Sequence, residues 1–260
     1  MTEELEVLRC PNCGAEEIGD YCSRCGQAQE PLLPTAPEFF RRVTVELLDL
    51  DARWLRTIVA LVRHPGRLTV DWINGHRASW TSPLRLYLVA AAVFFAVIGL
   101  TNRMGSTESS FVASGAEGFL VGALNDAAGL EAEVVIAESL QLLPPAFLLL
   151  VPYGALLLAL ALRRHRRLYV EHLVTLVHVH AFAFASWTLV PLIRVSTHFD
   201  VGPLAAIWVV GYCHLAFRRV YRDLRWRELA GIALAFLFYL ATVTLVLGSI
   251  GIVRVGGLSA

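Results

Sequence analysis

The chain has 260 residues, of which 56% are hydrophobic and 17% are charged. In a soluble domain about a quarter of the residues are charged. This composition excludes intrinsic disorder, a protein that coats nucleic acid and most soluble enzymes. Basic and acidic residues balance at 22 each, so no global field selects a nucleic-acid partner. Apolar runs of 17 to 25 residues separate the charges, which predicts a membrane protein.

Two C-x-x-C pairs lie near the start of the chain, Cys10 with Cys13 and Cys22 with Cys25. Each pair turns two thiolates toward one ion, and a glycine follows each pair, where it permits a positive φ. Four thiolates leave no open ligand position, so we interpret residues 1–30 as a miniature ribbon with structural zinc. Two disulfides, which need an oxidising compartment, and a redox pair, which needs an α/β fold, are the alternatives.

Residues 31–37 hold three prolines at every third position, which predicts an extended linker from which the ribbon hangs. Residues 38–83 have apolar positions at helical spacing, and breaks are predicted at Pro65-Gly66 and Asn74-Gly75. Tryptophans and arginines in this segment favour helices that lie in the membrane interface. A small helical subdomain resting on the membrane bundle is the alternative interpretation.

Five segments after residue 83 are long and apolar enough to cross a hydrocarbon core of ~30 Å. They are Leu86–Asn102, Leu142–Leu162, Leu173–Ile193, Val201–Phe217 and Leu229–Val253. Three prolines interrupt the second segment, and the first and fourth are the shortest, so either of these is a candidate re-entrant segment. We therefore predict an all-α integral membrane protein with a five-helix transmembrane bundle over residues 84–260.

The arginines predict the orientation of the bundle. Nineteen of the 22 lie before the first span or in the loops after the second and fourth spans. Positively charged loops stay in the cytoplasm, so the N-terminus is predicted to be cytoplasmic and the C-terminus external. The first 40 residues hold no apolar stretch of a signal peptide. The acidic loop 103–141 is then external, either as a solvated loop or as a vestibule that collects cations.

Several motifs accompany this pattern. They are the ribbon residues Tyr21-Cys22 and Cys25-Gly26-Gln27, the stretch Gly75–Pro83, the pair Tyr169 and His172, the pair His178 and His180, and the basic aromatic stretch Phe217–Tyr221. In combination they resemble a bacterial membrane family of unknown function, domain of unknown function 3667. The resemblance covers most of the chain outside the acidic loop. It implies this architecture in a bacterial cytoplasmic membrane and brings no known activity.

Ionisable residues inside a bilayer are costly and usually functional. Polar residues inside the third and fourth spans, with others at the cytoplasmic mouth of the third, therefore form a candidate intramembrane site. They are Tyr169, Glu171, His172, His178, His180 and His214. At ~100° per residue, His178 and His180 point to nearly opposite sides of their helix. We expect His178 and His214 to meet in the inner leaflet if their spans pack together. Interhelical hydrogen bonds, a metal or proton-relay site, and haem are the competing interpretations.

A second candidate site follows the fourth span. Five arginines and two aromatic residues there fit anionic lipid headgroups at the cytoplasmic surface, although anchoring by positive charge is the simpler explanation. The arginines are Arg218, Arg219, Arg222, Arg225 and Arg227.

No zinc-protease motif, phosphate-binding glycine loop or serine-nucleophile elbow occurs in the sequence. We therefore expect a non-enzymatic membrane module whose cytosolic zinc ribbon binds a protein partner. A transporter or channel component is the first alternative. The second is a membrane enzyme that uses the inner-leaflet histidines on a lipid or a metal.

Overall fold

The computed structural model describes residues 9–16, 20–28, 53–103 and 132–258. Within these residues the chain is all-helical and has no strand beyond two isolated β-bridges in the cysteine segment. The helices are α1 Arg53–Arg63, α2 Arg67–Ile73, α3 Pro83–Arg103, α4 Ala132–Ala161, α5 Tyr169–Thr197, α6 Gly202–Val220 and α7 Trp226–Leu258. The predicted linker 31–37 and most of the acidic loop lie outside the described residues.

Three helical segments are long and apolar enough to cross a membrane, namely Pro83–Thr101, Tyr169–Thr197 and Trp226–Val246. They coincide with the predicted first, third and fifth spans, which are confirmed at that level. A shorter apolar stretch, Ala146–Ala161, coincides with the second span. The fourth predicted span corresponds to α6, whose last turn holds Arg218 and Arg219. These two charges shorten the apolar part of α6.

The predicted interruption of the second span is wrong. The helix α4 runs without a break through Pro144, Pro145 and Pro152. A proline removes one backbone hydrogen bond, which a long apolar helix tolerates where its neighbours pack around it. The neighbours here are α5 and α7, and both pack against α4. The described end of the predicted acidic loop, residues 132–141, forms the start of α4.

The centre of the bundle is an aromatic cluster between α3, α4 and α5. Phe184 of α5 is buried, and its ring lies 5.2 Å from that of Phe94 and 5.3 Å from that of Phe147, measured between centroids. Tyr87 and Phe95 complete the cluster at 5.8 Å each. Tilted and edge-to-face pairs at these distances are favourable. Through this cluster α3 and α4 both pack against α5.

The helices α1 and α2 rest on the end of this bundle, and the predicted break between them is confirmed. Gly66 has a φ of 75°, and a Cβ there would lie 2.8 Å from the backbone oxygen of Ala216 in α6. Only glycine combines this φ with so close an approach. Leu61 of α1 and Leu68 of α2 are buried in the main core.

The outer side of α1 carries a second apolar stripe. Its members are spaced at i, i+3, i+4 and i+7, and all are exposed: Leu55, Ile58, Val59 and Val62. Residues at this spacing share one face of a helix. The inner face of α1 therefore contacts the bundle, while the outer face has the apolar character of a helix in a membrane interface.

Candidate functional site

The two C-x-x-C segments adopt the same backbone turn. In the first, the Gly14 N–H donates to the Cys10 carbonyl at 2.8 Å, and in the second the Gly26 N–H donates to the Cys22 carbonyl at 2.9 Å. Gly14 and Gly26 have φ values of 72° and 69°, as the sequence predicts. Each turn places the two thiols of its pair on one side of the backbone.

The four thiols of these turns form one cluster. All four sulfur atoms lie within 4.8 Å of one another, with Cys10 Sγ and Cys25 Sγ 3.6 Å apart and Cys13 Sγ and Cys22 Sγ 3.5 Å apart. Metal–sulfur bonds of ~2.3 Å in a tetrahedron require sulfur atoms ~3.8 Å apart. The cysteines are not joined by disulfides. The cluster therefore fits a single metal ion with four thiolate ligands.

Local hydrogen bonds favour the thiolate form of one ligand. Burial opposes ionisation of Cys25, but hydrogen bonds with the Asn12 side chain and the Gln27 backbone outweigh it and lower the pKa of this thiol to about 7. A thiolate is the form that binds a metal. The second turn thus favours the metal-binding form of Cys25.

The cysteine segment is docked on the chain's own turn of residues 75–79, which we call the docking turn. Gln27 makes three hydrogen bonds to its backbone. Its Nε2 donates to the Gly75 carbonyl at 2.8 Å, and its Oε1 accepts from the N–H groups of Arg77 and Ala78 at 3.1 and 3.0 Å. Gln27 is 8% exposed. One side chain therefore satisfies three backbone groups of the docking turn.

The first C-x-x-C turn contacts the same surface. The Ser79 hydroxyl donates to the Asn12 side-chain oxygen at 3.1 Å. Gly75 has a φ of 88°, and a Cβ on it would lie 2.9 Å from Pro11 Cβ. The linker is therefore not the ribbon's sole attachment, because hydrogen bonds between residues 48 to 67 positions apart in sequence hold the ribbon against the helical part.

The other side of the docking turn is held by α1. Arg53 donates to the Ala78 carbonyl at 3.3 Å, and Arg56 donates to the Ser79 carbonyl. Just beyond the turn, the Thr57 hydroxyl accepts from the Thr81 N–H at 3.1 Å. Side chains of the cysteine segment thus form hydrogen bonds with the docking turn on one side, and side chains of α1 form them on the other.

Three histidines of α5 form separate contacts, and two of them, His172 and His178, are buried. His172 Nδ1 lies 2.8 Å from the Tyr221 hydroxyl, His178 Nδ1 lies 3.0 Å from the Thr69 hydroxyl, and His180 Nε2 lies 3.2 Å from the Tyr239 hydroxyl. Each contact joins α5 to a different element: the turn after α6, the helix α2 and the helix α7. Burial raises the pKa of Tyr221 to about 12, so its hydroxyl stays neutral.

His214 does not meet His178, contrary to the prediction. It is exposed, whereas Tyr212 and Ala216, two residues before and after it, are buried. Two residues correspond to a rotation of ~200° around a helix. The buried side of α6 therefore faces α5, and His214 lies on the opposite side.

Tyr169 and Glu171, predicted as polar residues at the start of α5, contact neighbouring elements. The Tyr169 hydroxyl donates to the Pro152 carbonyl at 2.8 Å. Glu171 accepts from Arg167 at 3.2 Å, and the same guanidinium donates to the Val220 carbonyl at 2.7 Å. These contacts fix the start of α5 to α4 and to the end of α6. The sequence patterns do not identify Arg167 as a site residue.

The arginines predicted at lipid headgroups are divided among different surroundings. Arg219 donates to the Pro65 carbonyl at 2.9 Å, and Arg227 lies 5.6 Å from the ring of its neighbour Trp226. Arg218 and Arg222 line a cavity in the turn after α6. Arg219 and Arg222 line a second cavity, between α2 and the end of α6, and Arg225 and Arg227 line neither cavity.

Together these features define a protein that is all-helical in its described part outside the cysteine segment, with helices suited to cross a membrane. Four cysteines, placed to hold a metal ion, are docked on the docking turn. A family model described as "Protein of unknown function (DUF3667)" matches residues 51–95. The match confirms the resemblance to this family over that segment, which includes the stretch Gly75–Pro83. The matched segment contains α1, α2, the docking turn and the first half of α3. No curated protein and no solved structure matches the chain significantly.

Proposed function

We propose that this protein is a non-enzymatic membrane module in which a zinc-loaded ribbon, fixed on the cytoplasmic end of a five-helix bundle, binds a cytosolic protein partner. The observation that carries the proposal is the cluster of four thiols docked through Gln27 on the docking turn. Because the cysteine segment is fixed to the helical part of the chain, its outer surface can bind a partner without first becoming ordered.

Zinc is the metal that best suits this site. Four thiolates in a tetrahedron are typical of structural zinc. The segment has little apolar core, since only Cys10 and Cys22 among its described residues are buried hydrophobic residues. A segment of this kind depends on the metal for its fold. The short separation of the two pairs also suits one ion rather than a cluster of several.

The proposed topology is supported by contacts at one end of the bundle. Arg219 in the last turn of α6 donates to the carbonyl of Pro65 between α1 and α2. His165, after α4, pairs with Glu228 at the start of α7 at 3.4 Å. The arginine-rich segments therefore gather at one end, together with the cysteine segment. Positive charge on that side favours a cytoplasmic N-terminus, and five crossings then give an external C-terminus in a bacterial cytoplasmic membrane.

The arrangement of the bundle supports a module without catalysis. His172, His178 and His180 of α5 each pair with one hydroxyl of another element, which is the usual role of polar residues between membrane helices. His178 and His214, the pair that would have favoured an enzyme, point to different surroundings. The aromatic cluster around Phe184 fills the space between α3, α4 and α5.

The surface offered to a partner includes Tyr21. This residue stays 66% exposed while the cysteine segment is docked, and exposed tyrosines are frequent anchors of protein interfaces. Tyr21 directly precedes the ligand Cys22, so a bound metal would orient it. Binding should therefore require the metal.

The metal is tested by elemental analysis of the purified full-length protein. We expect about one zinc per chain, as in other four-thiolate sites, and loss of zinc in the double variant Cys22→Ser, Cys25→Ser. The matched control is Cys213→Ser, which removes the fifth cysteine, located in α6, and should retain zinc. Full-length protein without zinc, or zinc retained by the double variant, contradicts the proposed metal site.

The partner is tested by a photo-crosslinking amino acid at Tyr21 in living cells. We expect a crosslinked protein that disappears in the double cysteine variant and persists in Cys213→Ser. The same amino acid at Phe199, in the exposed turn between α5 and α6, is the position control. A Tyr21 crosslink that is absent, or unaffected by loss of the metal, overturns the partner-binding proposal while leaving the zinc result intact.

A further inference from the structure

A basic cavity lies between α2 and the end of α6. It has a volume of about 300 Å³, and three arginines line it, Arg167, Arg219 and Arg222. Asn74, Val70 and Ile73 of the α2 region supply the rest of its wall together with Val220. No acidic residue lines this cavity, although Glu171 pairs with Arg167 from outside it.

Two of these arginines are already held in place. Arg167 donates Nη2 to the Val220 carbonyl at 2.7 Å, and its guanidinium lies 5.4 Å from the centroid of the Tyr221 ring. Arg219 donates Nη1 to the Pro65 carbonyl at 2.9 Å. Each guanidinium has five N–H donors, so these contacts leave donors for a ligand. Side chains ordered before binding lose less entropy when a ligand arrives.

We propose that this cavity binds the phosphate group of an anionic ligand through Arg167, Arg219 and Arg222. The planar guanidinium fork matches two phosphate oxygens at once, and such charge-assisted pairs are the strongest hydrogen bonds in proteins. Asn74, at the end of α2, adds an amide donor at the rim. The exposed Arg222 adds a third positive charge to this cavity. It also lines the adjoining cavity of about 320 Å³, whose lining includes the acidic Asp223.

The phosphate can belong to a membrane lipid or to a soluble metabolite, because both present the same oxygens. Val70 and Ile73 give the cavity an apolar wall, and the exposed stripe of α1 supports a location at the membrane surface. Basic pockets at this level of a membrane protein suit lipid headgroups. The inference is independent of the zinc site and of the partner, and only its lipid source depends on the proposed membrane placement.

The test uses full-length protein in a neutral detergent and two phosphate probes. Phosphatidylglycerol is titrated with native mass spectrometry as the readout, with phosphatidylcholine as the zwitterionic control lipid. Inorganic pyrophosphate is titrated calorimetrically in a parallel arm. Binding of phosphatidylglycerol alone identifies a lipid headgroup as the source, whereas binding of pyrophosphate identifies a soluble phosphate.

The decisive variants are Arg222→Gln and Arg225→Gln, which remove the same charge from the same turn. Of these two arginines, Arg222 lines the cavity and Arg225 does not. Both side chains are exposed, so neither change should disturb folding. We expect Arg222→Gln to weaken binding of the effective probe about tenfold or more, as for loss of a charge-assisted pair, and Arg225→Gln to change it less than about twofold.

Arg222→Lys provides a further distinction, since it keeps the charge and removes the fork. We expect its binding to lie between that of the original protein and that of Arg222→Gln. Equal losses in the Arg222 and Arg225 variants would show that only the general surface charge matters and would overturn the cavity. The absence of binding to either probe would overturn it too, and in both cases the zinc content and the Tyr21 crosslink would be unaffected.

Discussion

The cysteine segment with its docking turn and the bundle around α5 are held together in different ways. In the first region, side chains pair with backbone groups, as Gln27 does with Gly75, and a metal supplies the missing core. In the second region, apolar rings fill the interior, and isolated polar pairs such as His178 with Thr69 connect neighbouring helices. The comparison teaches that one chain can use metal and hydrogen bonds where its apolar content is low, and packing where it is high.

Loss of the metal should give the largest difference in hydrogen exchange between the two regions. In the double variant Cys22→Ser, Cys25→Ser, hydrogen exchange should rise across residues 9–28 and at the docking turn, because structural zinc contributes ~10 kcal/mol or more to the fold of such segments. Exchange in α5 should stay unchanged, since its aromatic contacts do not involve the ribbon. A loss of helical signal in circular dichroism would contradict this independence.

Gly66→Ala should damage the junction between the two regions. The substitution forces a side chain into a positive φ and against the backbone of Ala216. Overpacking and the unfavourable φ together should cost about 2–4 kcal/mol. Thermal unfolding in detergent measures the change, and Gly211→Ala in α6, where a Cβ meets open space, is the control. Similar unfolding temperatures for the two variants would contradict the close approach.

Gln27→Ala should release the docking turn without removing the metal. Three backbone groups lose their partner, and each unsatisfied group costs about 1–3 kcal/mol when buried, less where water can replace the partner. Amide exchange at Arg77 and Ala78 should accelerate about tenfold or more, while zinc content stays at the original value. Arg24→Ala, an exposed change in the same segment, should leave both unchanged. Protected amides in Gln27→Ala would disprove the docking role.

Within the bundle, Tyr239→Phe should have a small effect. It removes the hydroxyl that pairs with His180, and interhelical hydrogen bonds in membrane proteins average ~0.6 kcal/mol. The unfolding free energy in detergent should therefore fall by less than ~2 kcal/mol. His214→Gln should fall within ~0.5 kcal/mol of the original protein, because His214 is exposed on the far side of α6. A larger effect of His214→Gln would restore the hypothesis of a site on that surface.

Structural features that depend on residues close together in the sequence were predictable from it. Cys10, Cys13, Cys22 and Cys25 lie in two identical motifs, and the geometry of each motif depends on four or five adjacent residues. The break at Pro65-Gly66 and the three confirmed spans depend in the same way on local backbone preference and on the length of an apolar run. These are one-dimensional properties, so the order of residues suffices to determine them.

Only the tertiary structure decided which distant groups meet. Gln27 and Gly75 are 48 residues apart, and Thr69 and His178 are 109 residues apart. Both contacts depend on how whole helices pack, as do the position of Arg167 beside Arg219 and Arg222 and the exposure of His214. A rotation of one helix by half a turn would exchange its buried and exposed residues. The facing sides of helices are therefore fixed by the sum of their contacts, and no local pattern in this sequence contains that sum.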